Sequence, residues 1–381
     1  MGNTFYLYVH IPFCQSKCPY CDFVSFRAPH EQIDRYINSL QQEIQLIFSK
    51  DFKGYDLQSI YFGGGTPSWI PERYIAEILK TIQHFFPLDG IEKTIELNPN
   101  VEHYKIQSYR DMGINRLSIG AQSFKKDKLT FLERDHGVND TMSLLREIER
   151  VNFPNTSVDI IFGLSDEENI EEEIANLGKY HNVVKHVSAY ELTLEKSVPL
   201  FERYQKKYLC KEERGGELYA DMIRELGKLG YEQYEISNFA QKGYESKHNL
   251  SYWSWKNYLG VGISAASFMN FPRPYGSRWK NVNSINEYFQ AIEENRLPRI
   301  YETIDRRKAF EDYLLTGLRK NSGISLVHFE NTFGEHYKAC LQSHDILVKE
   351  QLLEVNNDFL YVTNAGRMVL DSIIEMLTKD F

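Results

Sequence analysis

No stretch of this 381-residue chain reaches about 18 uninterrupted apolar residues, so no segment reads as a membrane-spanning helix. The opening MGNTFYLYVHIPFC lacks a basic n-region and a long apolar run, so a secretory leader is not expected. Cysteine is scarce and odd in number. Of five, three crowd together as Cys14, Cys18 and Cys21, while Cys210 and Cys340 stand alone in helix-like surroundings. No disulfide framework follows, a reducing cytoplasm is the expected location, and Cys210 reads as a small packing residue. Basic charge is also short: the net charge of −9 disfavours non-specific binding to nucleic acid or anionic lipid and leaves peripheral membrane contact open. No internal repeat or low-complexity tract stands out.

What is present suits a globular protein with one large domain and a smaller one; the 42% hydrophobic content is enough for a sizeable core. The 25 Tyr and 23 Phe would suit aromatic walls around a flat ligand, and they fill cores equally well. Strand-like runs at about 5–11, 58–63, 93–98, 116–121, 156–162 and 186–192 alternate with helical spacing over 31–49, 71–86, 102–112, 138–151 and 168–181. In the first of these helices Ile33, Tyr36, Ile37, Leu40, Ile44 and Ile47 form one stripe. Six such units predict an α/β fold, an incomplete (β/α)6 TIM-like barrel over 1–240, with its chemistry on the loops that leave the C-terminal ends of the strands.

The first of those loops carries Cys14, Cys18 and Cys21 with gaps of three and two, and Pro12 and Pro19 keep it from closing into a helix. Three thiolates in one irregular loop point to a metal. A [4Fe–4S] cube needs four ligands and would find three, leaving one iron open to a small molecule. The competing reading is a structural zinc site completed by His10 as a Cys3His set. Further along, the glycines of YFGGGTPS allow a close backbone approach, so their amides could lie against a polar ligand, or they form a tight strand-to-helix turn. Glu96 ends a strand at the barrel mouth, where it would accept charge-assisted hydrogen bonds from an ammonium group. Asp159 interrupts an apolar run and should be paired or functional.

The pattern C-x3-C-x2-C after a strand resembles the radical S-adenosylmethionine (SAM) superfamily, and YVHIPFC…CPYCDF resembles its oxygen-independent coproporphyrinogen III oxidase branch. The resemblance covers nearly the whole chain. It implies that Cys14, Cys18 and Cys21 hold a [4Fe–4S] cluster and that Tyr8 and Tyr20 pack beside cluster and adenosyl group, Tyr20 standing where relatives often have Phe. It further implies that Gly64, Gly65, Thr66 and Glu96 hold the methionine end of SAM, with Gln122, Arg134 and Asp159 lining the rest of the pocket. Arg134 and Asp159 read equally well as a structural ion pair.

Residues 246–258, SKHNLSYWSWKNY, put His248, Asn249, Tyr252, Trp253 and Trp255 in a short compass. From physics alone this is a buried His in an aromatic cluster; its HNxxYW pattern resembles the HemW-type heme chaperones of the branch and makes His248 the candidate heme ligand. In the following YLGVGISAASF, typical relatives carry a further Gly and often His where this chain has Ser264, Ala265, Ala266 and Ser267. Residues 241–300 read as this motif and a linker, the linker itself over 270–300 with Pro272, Pro274 and Pro298. Residues 301–381 read as a smaller winged-helix-like C-terminal domain, with helices at 305–319 and after Gly334, then two short strands and a closing helix. DNA binding is disfavoured there, because 300–381 holds 9 Lys and Arg against 13 Asp and Glu; a lid or docking module is expected.

Two functions follow from the resemblance. One is a heme chaperone that binds heme, SAM and a [4Fe–4S] cluster and passes heme to respiratory apoproteins, with an electron donor as a further partner. The other is an oxygen-independent coproporphyrinogen III dehydrogenase acting through a 5′-deoxyadenosyl radical. True oxidases of the branch carry a fourth cysteine two residues after the third; Phe23 stands there and favours the chaperone.

Overall fold

The computed structural model describes residues 3–203, 211–270, 275–334 and 345–379. Cys210, Cys340, Pro272, Pro274 and the helical stretch expected after Gly334 lie outside them. Strands β1 (Thr4–Ile11), β2 (Asp56–Gly64), β3 (Glu92–Leu97), β4 (Arg116–Gln122), β5 (Thr156–Phe162) and β6 (His186–Glu191) pair in chain order, all parallel. Helices α1 (His30–Phe48), α2 (Glu72–Gln83), α3 (Tyr104–Asp111), α4 (Lys126–Phe131), α5 (Val138–Val151) and α6 (Ile170–Gly178) lie between them. The predicted stripe of α1, Ile33 to Ile47, is buried in the main core.

Successive side chains of a strand point to opposite faces, and here the two faces differ in kind. Leu7, Val9 and Ile11 of β1, Leu117 and Ile119 of β4, and Val158 and Ile160 of β5 are fully buried in the helix-covered core. The alternate set, including Glu96, Ser118, Gly120, Gln122 and Asp159, faces a cavity inside the arc. Closed eight-stranded barrels fill that space with branched apolar side chains. This open one lines it with carboxylates, hydroxyls, amides and thiols.

The sheet runs well past six strands. On the β1 side it continues through β9 (Tyr258–Val261), parallel to β1, and then antiparallel through β10 (Ala266–Met269), β11 (Ser277–Asn281) and β12 (Arg299–Glu302). Beyond β6 it continues through β8 (Asn238–Ala240) and β7 (Glu232–Glu235), both antiparallel. Helix α7 (Glu212–Lys228) packs on α6. The stretch 270–300 is therefore not a simple linker: it supplies β11 and the helix α8 (Ile285–Glu293), with Trp279, Tyr288, Phe289 and Ile292 in the main core. Glu43 of α1, fully buried, fastens this extension by accepting hydrogen bonds from Gly262 N (2.8 Å), Asn281 Nδ2 (2.6 Å) and Tyr288 OH (2.6 Å).

The C-terminal body has its own core, built from α9 (Arg306–Gly317), α10 (Leu326–Phe333), the closing helix Leu370–Thr378 and a small antiparallel sheet of β13 (Ile324–Ser325), β15 (Phe359–Val362) and β14 (Leu353–Asn356), in that order. Asn357 and Asp358, both at positive φ, make the tight turn between β14 and β15. This body docks on β7: Asn321 N donates to Tyr234 O (3.0 Å), and Arg319 Nη2 reaches the buried Glu235 at 3.4 Å. Among the described residues no helix is long and apolar enough to cross a membrane.

Candidate functional site

The cluster loop hangs from the C-terminal end of β1 and is closed at its base, where Phe26 N donates to Pro12 O (2.8 Å) and Cys14 N to Phe26 O (3.1 Å). It holds three free cysteines, Cys14 buried and Cys18 and Cys21 half-buried. Burial pushes the Cys14 and Cys21 thiols up, as it does for any thiol kept from water without a metal to take its proton's place. His10 cannot complete a zinc site, because both ring nitrogens are engaged: Nδ1 with Tyr8 OH at 3.1 Å and Nε2 with Val24 O at 3.0 Å. The imidazole is buried and its pKa lies at about 4, chiefly through burial. Three soft donors without a fourth fit a cube with one open iron better than a closed tetrahedral zinc centre.

Against this loop lies the glycine turn at the end of β2. Gly64 sits at φ +116°, and a Cβ there would stand 2.5 Å from the His10 ring; at Gly65 it would stand 2.7 Å from Phe13 O. The glycines thus bring β2 against the cluster loop. Their amides, expected to face a ligand, are already used within the protein: Gly64 N donates to Glu96 Oε2 (3.0 Å), Gly65 N to Ile11 O (2.8 Å) and Thr66 N to Phe13 O (2.8 Å). What the turn leaves for a ligand is its carbonyl oxygens and the space where side chains are missing. Thr66 Oγ1 lies 3.6 Å from Cys14 Sγ.

Between the two loops opens a cavity of about 460 Å³, lined by Cys14, Cys18, Tyr20, Cys21, Gly64, Gly65, Thr66, Glu96, Gln122, Arg134 and Asp159. Eleven residues predicted from scattered positions thus meet in one place. Glu96 accepts from Tyr61 OH (3.0 Å) as well as from Gly64 N; burial, then the nearby Asp159, lifts its carboxyl to about 7. Burial also lifts Asp159 to about 6, opposed by hydrogen bonds from Ser188 and Ser118 and by the charge of Arg116. Gln122 holds φ 63° where β4 ends, an unusual conformation for a residue with a side chain, and such strain clusters at functional sites. Arg134 does not pair with Asp159; its guanidinium lies 2.9 Å from Cys18 Sγ, 3.3 Å from Tyr20 OH, 2.5 Å from Asn98 Oδ1 and 3.2 Å from Gly120 O.

Two predicted residues stand elsewhere. Tyr8 lies one layer below the cavity, stacked on Tyr61 with ring centres 6.1 Å apart. His248 is buried at the opposite end of the arc, on the short helix Lys247–Trp253, and both its nitrogens are occupied, Nδ1 by Ser59 Oγ (2.7 Å) and Nε2 by Tyr252 OH (2.8 Å). Its pKa falls to about 3 through burial and the charge of Arg116. The structure therefore places the expected heme ligand inside the barrel, held by two hydroxyls and away from the cavity. Sequence reasoning passed over Asn98 and Asp135, which bond each other at 2.9 Å on the cavity wall; the only signal was their place close after Glu96 and Arg134.

Comparison with known proteins agrees with this layout. Residues 8–178 match the family described as Radical SAM superfamily, and residues 304–369 match the HemN C-terminal domain. The heme chaperone HemW of Bacillus subtilis (strain 168) is 31% identical over 371 residues, covering 95% of this chain and 96% of that protein. HemW of Lactococcus lactis subsp. lactis (strain IL1403) is 30% identical over 381 residues, covering 98% and 97%. The solved structure of coproporphyrinogen III oxidase (HemN) from Escherichia coli shares the fold, with a TM-score of 0.82 at 22% identity over 100% of this chain and 91% of that one. A radical SAM family implies a [4Fe–4S] cluster and SAM, and the cavity's thiols, carboxylates and open volume fit both. The chain belongs to the HemN-like radical SAM family, in the company of the HemW proteins.

Proposed function

We propose that the protein is a heme chaperone of the HemW kind: it binds heme, carries SAM and a [4Fe–4S] cluster in the barrel-mouth cavity, and passes heme to a respiratory apoprotein in a reducing compartment. The observation that carries this is likeness to HemW proteins along nearly the entire length of both chains. Phe23 adds to it. The residue is 56% exposed at the cavity mouth, where the oxidase pattern requires a cysteine. The likeness to the oxidase structure is one of fold and leaves the reaction open.

In this reading Cys14, Cys18 and Cys21 hold the cluster, and Glu96 meets the ammonium group of SAM across the glycine turn. Gln122, Arg134 and Asp159 shape the remaining wall, while Tyr20 supports Arg134. Bound there, the cluster supplies electrons beside the sulfonium. An external electron donor would be needed for any turnover. The test is anaerobic reconstitution followed by separate assays of heme binding and coproporphyrinogen conversion. Heme uptake without porphyrinogen turnover is expected; robust turnover despite Phe23 would replace the chaperone with the oxidase.

A further inference from the structure

The SKHNLSYWSW segment divides between two environments. His248 turns into the barrel, but Trp253 and Trp255 turn the other way and, with the C-terminal body, wall a cleft of about 210 Å³ that also presents Tyr313, Lys320, His328 and Phe359. Its walls are flat and aromatic: Trp255 packs edge-on to Tyr313 at 5.2 Å, and the His328 ring lies 5.8 Å from that of Tyr313. The indole Nε1 atoms of Trp253 and Trp255 are buried with no hydrogen-bond partner among the described residues. Among the described residues the Lys320 ammonium donates to Ser254 Oγ at 3.3 Å and forms no ion pair, and burial together with Lys256 pushes its pKa down. His328 is exposed at the rim on the first turn of α10, held there by its backbone N, which donates to Ser325 Oγ (3.3 Å).

Aromatic walls, a lysine ammonium and a rim imidazole match one kind of ligand: a flat iron macrocycle with carboxylate arms. Resting on the heme reading above, we propose that this cleft is the heme-docking site, with His328 as an iron ligand and Lys320 meeting a propionate. The cleft is too small to enclose a tetrapyrrole. It takes one edge and leaves the rest exposed, as suits a protein that must hand its cargo on.

The probe is hemin, titrated into the full-length, anaerobically reconstituted protein and followed by its Soret band and low-spin electron paramagnetic resonance. The wild type should show imidazole ligation. His328→Ala should lose that signature and bind about tenfold more weakly, with free imidazole restoring the spectrum. Lys320→Met should weaken binding of hemin but not of its dimethyl ester, a difference that general loss of structure would not produce. Iron content and circular dichroism should stay at wild-type values in His328→Ala, since the residue is exposed. Hemin uptake by the wild type with the same spectrum and affinity in His328→Ala overturns the cleft assignment and leaves the heme reading standing. A wild type that takes up no hemin overturns the heme reading itself.

Discussion

Glu96 and Asp159 share a cavity wall; burial and then the nearby Asp159 lift Glu96 to about 7, and burial lifts Asp159 to about 6. SAM is cationic at its sulfonium and ammonium groups, so it favours the ionised carboxylates and competes with protons for them. Affinity should therefore fall as the pH drops through 7 and then 6; calorimetry should give binding about tenfold weaker at pH 6 than at pH 8. Glu96→Gln should bind weakly at both and flatten the dependence. Equal wild-type affinities at the two values would show that Glu96 does not meet the ligand. At His248 the pKa shift is downward. Its folded pKa of about 3 lies below the unfolded value of 6.5, so its neutral burial is harmless above 6.5 and costs stability as the pH falls toward 3. The deficit of His248→Gln, measured by urea unfolding, should shrink by about 2 kcal/mol between pH 7 and pH 5. A constant deficit would mean that this imidazole takes up its proton within the fold. That the three cysteines share one loop at the cavity was legible in the sequence, because it lies in local spacing. His248 was not: spacing does not tell which wall of a helix faces the barrel, and Ser59, which fixes its ring, lies 189 positions away.

The element most exposed to small changes is the glycine turn against the cluster loop. Gly64→Ala would force a Cβ to within 2.5 Å of His10 in a backbone conformation that L residues avoid, and His10 cannot yield because both its nitrogens are tied. Gly90→Ala is the control, at φ +75° with nothing within 4 Å of the added atom. Chemical denaturation should show Gly90→Ala losing about 1 kcal/mol and Gly64→Ala clearly more. Gly64→Ala alone should also reduce iron and sulfide retention. Equal losses would mean that the turn yields freely and does not set the loop spacing. The elements themselves were largely readable, because β1 to β6 alternate apolar and polar residues and α1 carries one long stripe. The amides of Gly64, Gly65 and Thr66 were not, since their acceptors Glu96, Ile11 and Phe13 come from other elements. Strands β9 to β12 were missed because four- and five-residue strands rich in Gly, Ser and charge do not show a period.

Across the whole molecule, the barrel and the C-terminal body meet at a point where one cation serves three elements. Arg319, just past α9, reaches Glu235 of β7 at 3.4 Å and Ser237 Oγ at 3.4 Å, and its guanidinium lies 4.5 Å over the ring of Trp253. Glu235 is fully buried, and burial raises its pKa while Arg319 holds it down. This joint escaped sequence reading because Arg319 lies more than 60 residues from each of its partners and, Trp253 apart, none of them belongs to a motif. Arg319→Met keeps most of the stem but strands the carboxylate, so at pH 8 it should cost about 3 kcal/mol, the range for breaking one side of a buried pair. Without its cation Glu235 takes up a proton more readily in the folded state than in the unfolded chain. The folded form is then favoured as pH falls, and the deficit should be smaller at pH 5 than at pH 8. Hydrogen exchange should rise in β7 and around residues 319–325 before it rises in β1 to β5, since only the docking surface has lost a contact. A uniform rise across both bodies would show that they unfold as one unit and that Arg319 is not the joint.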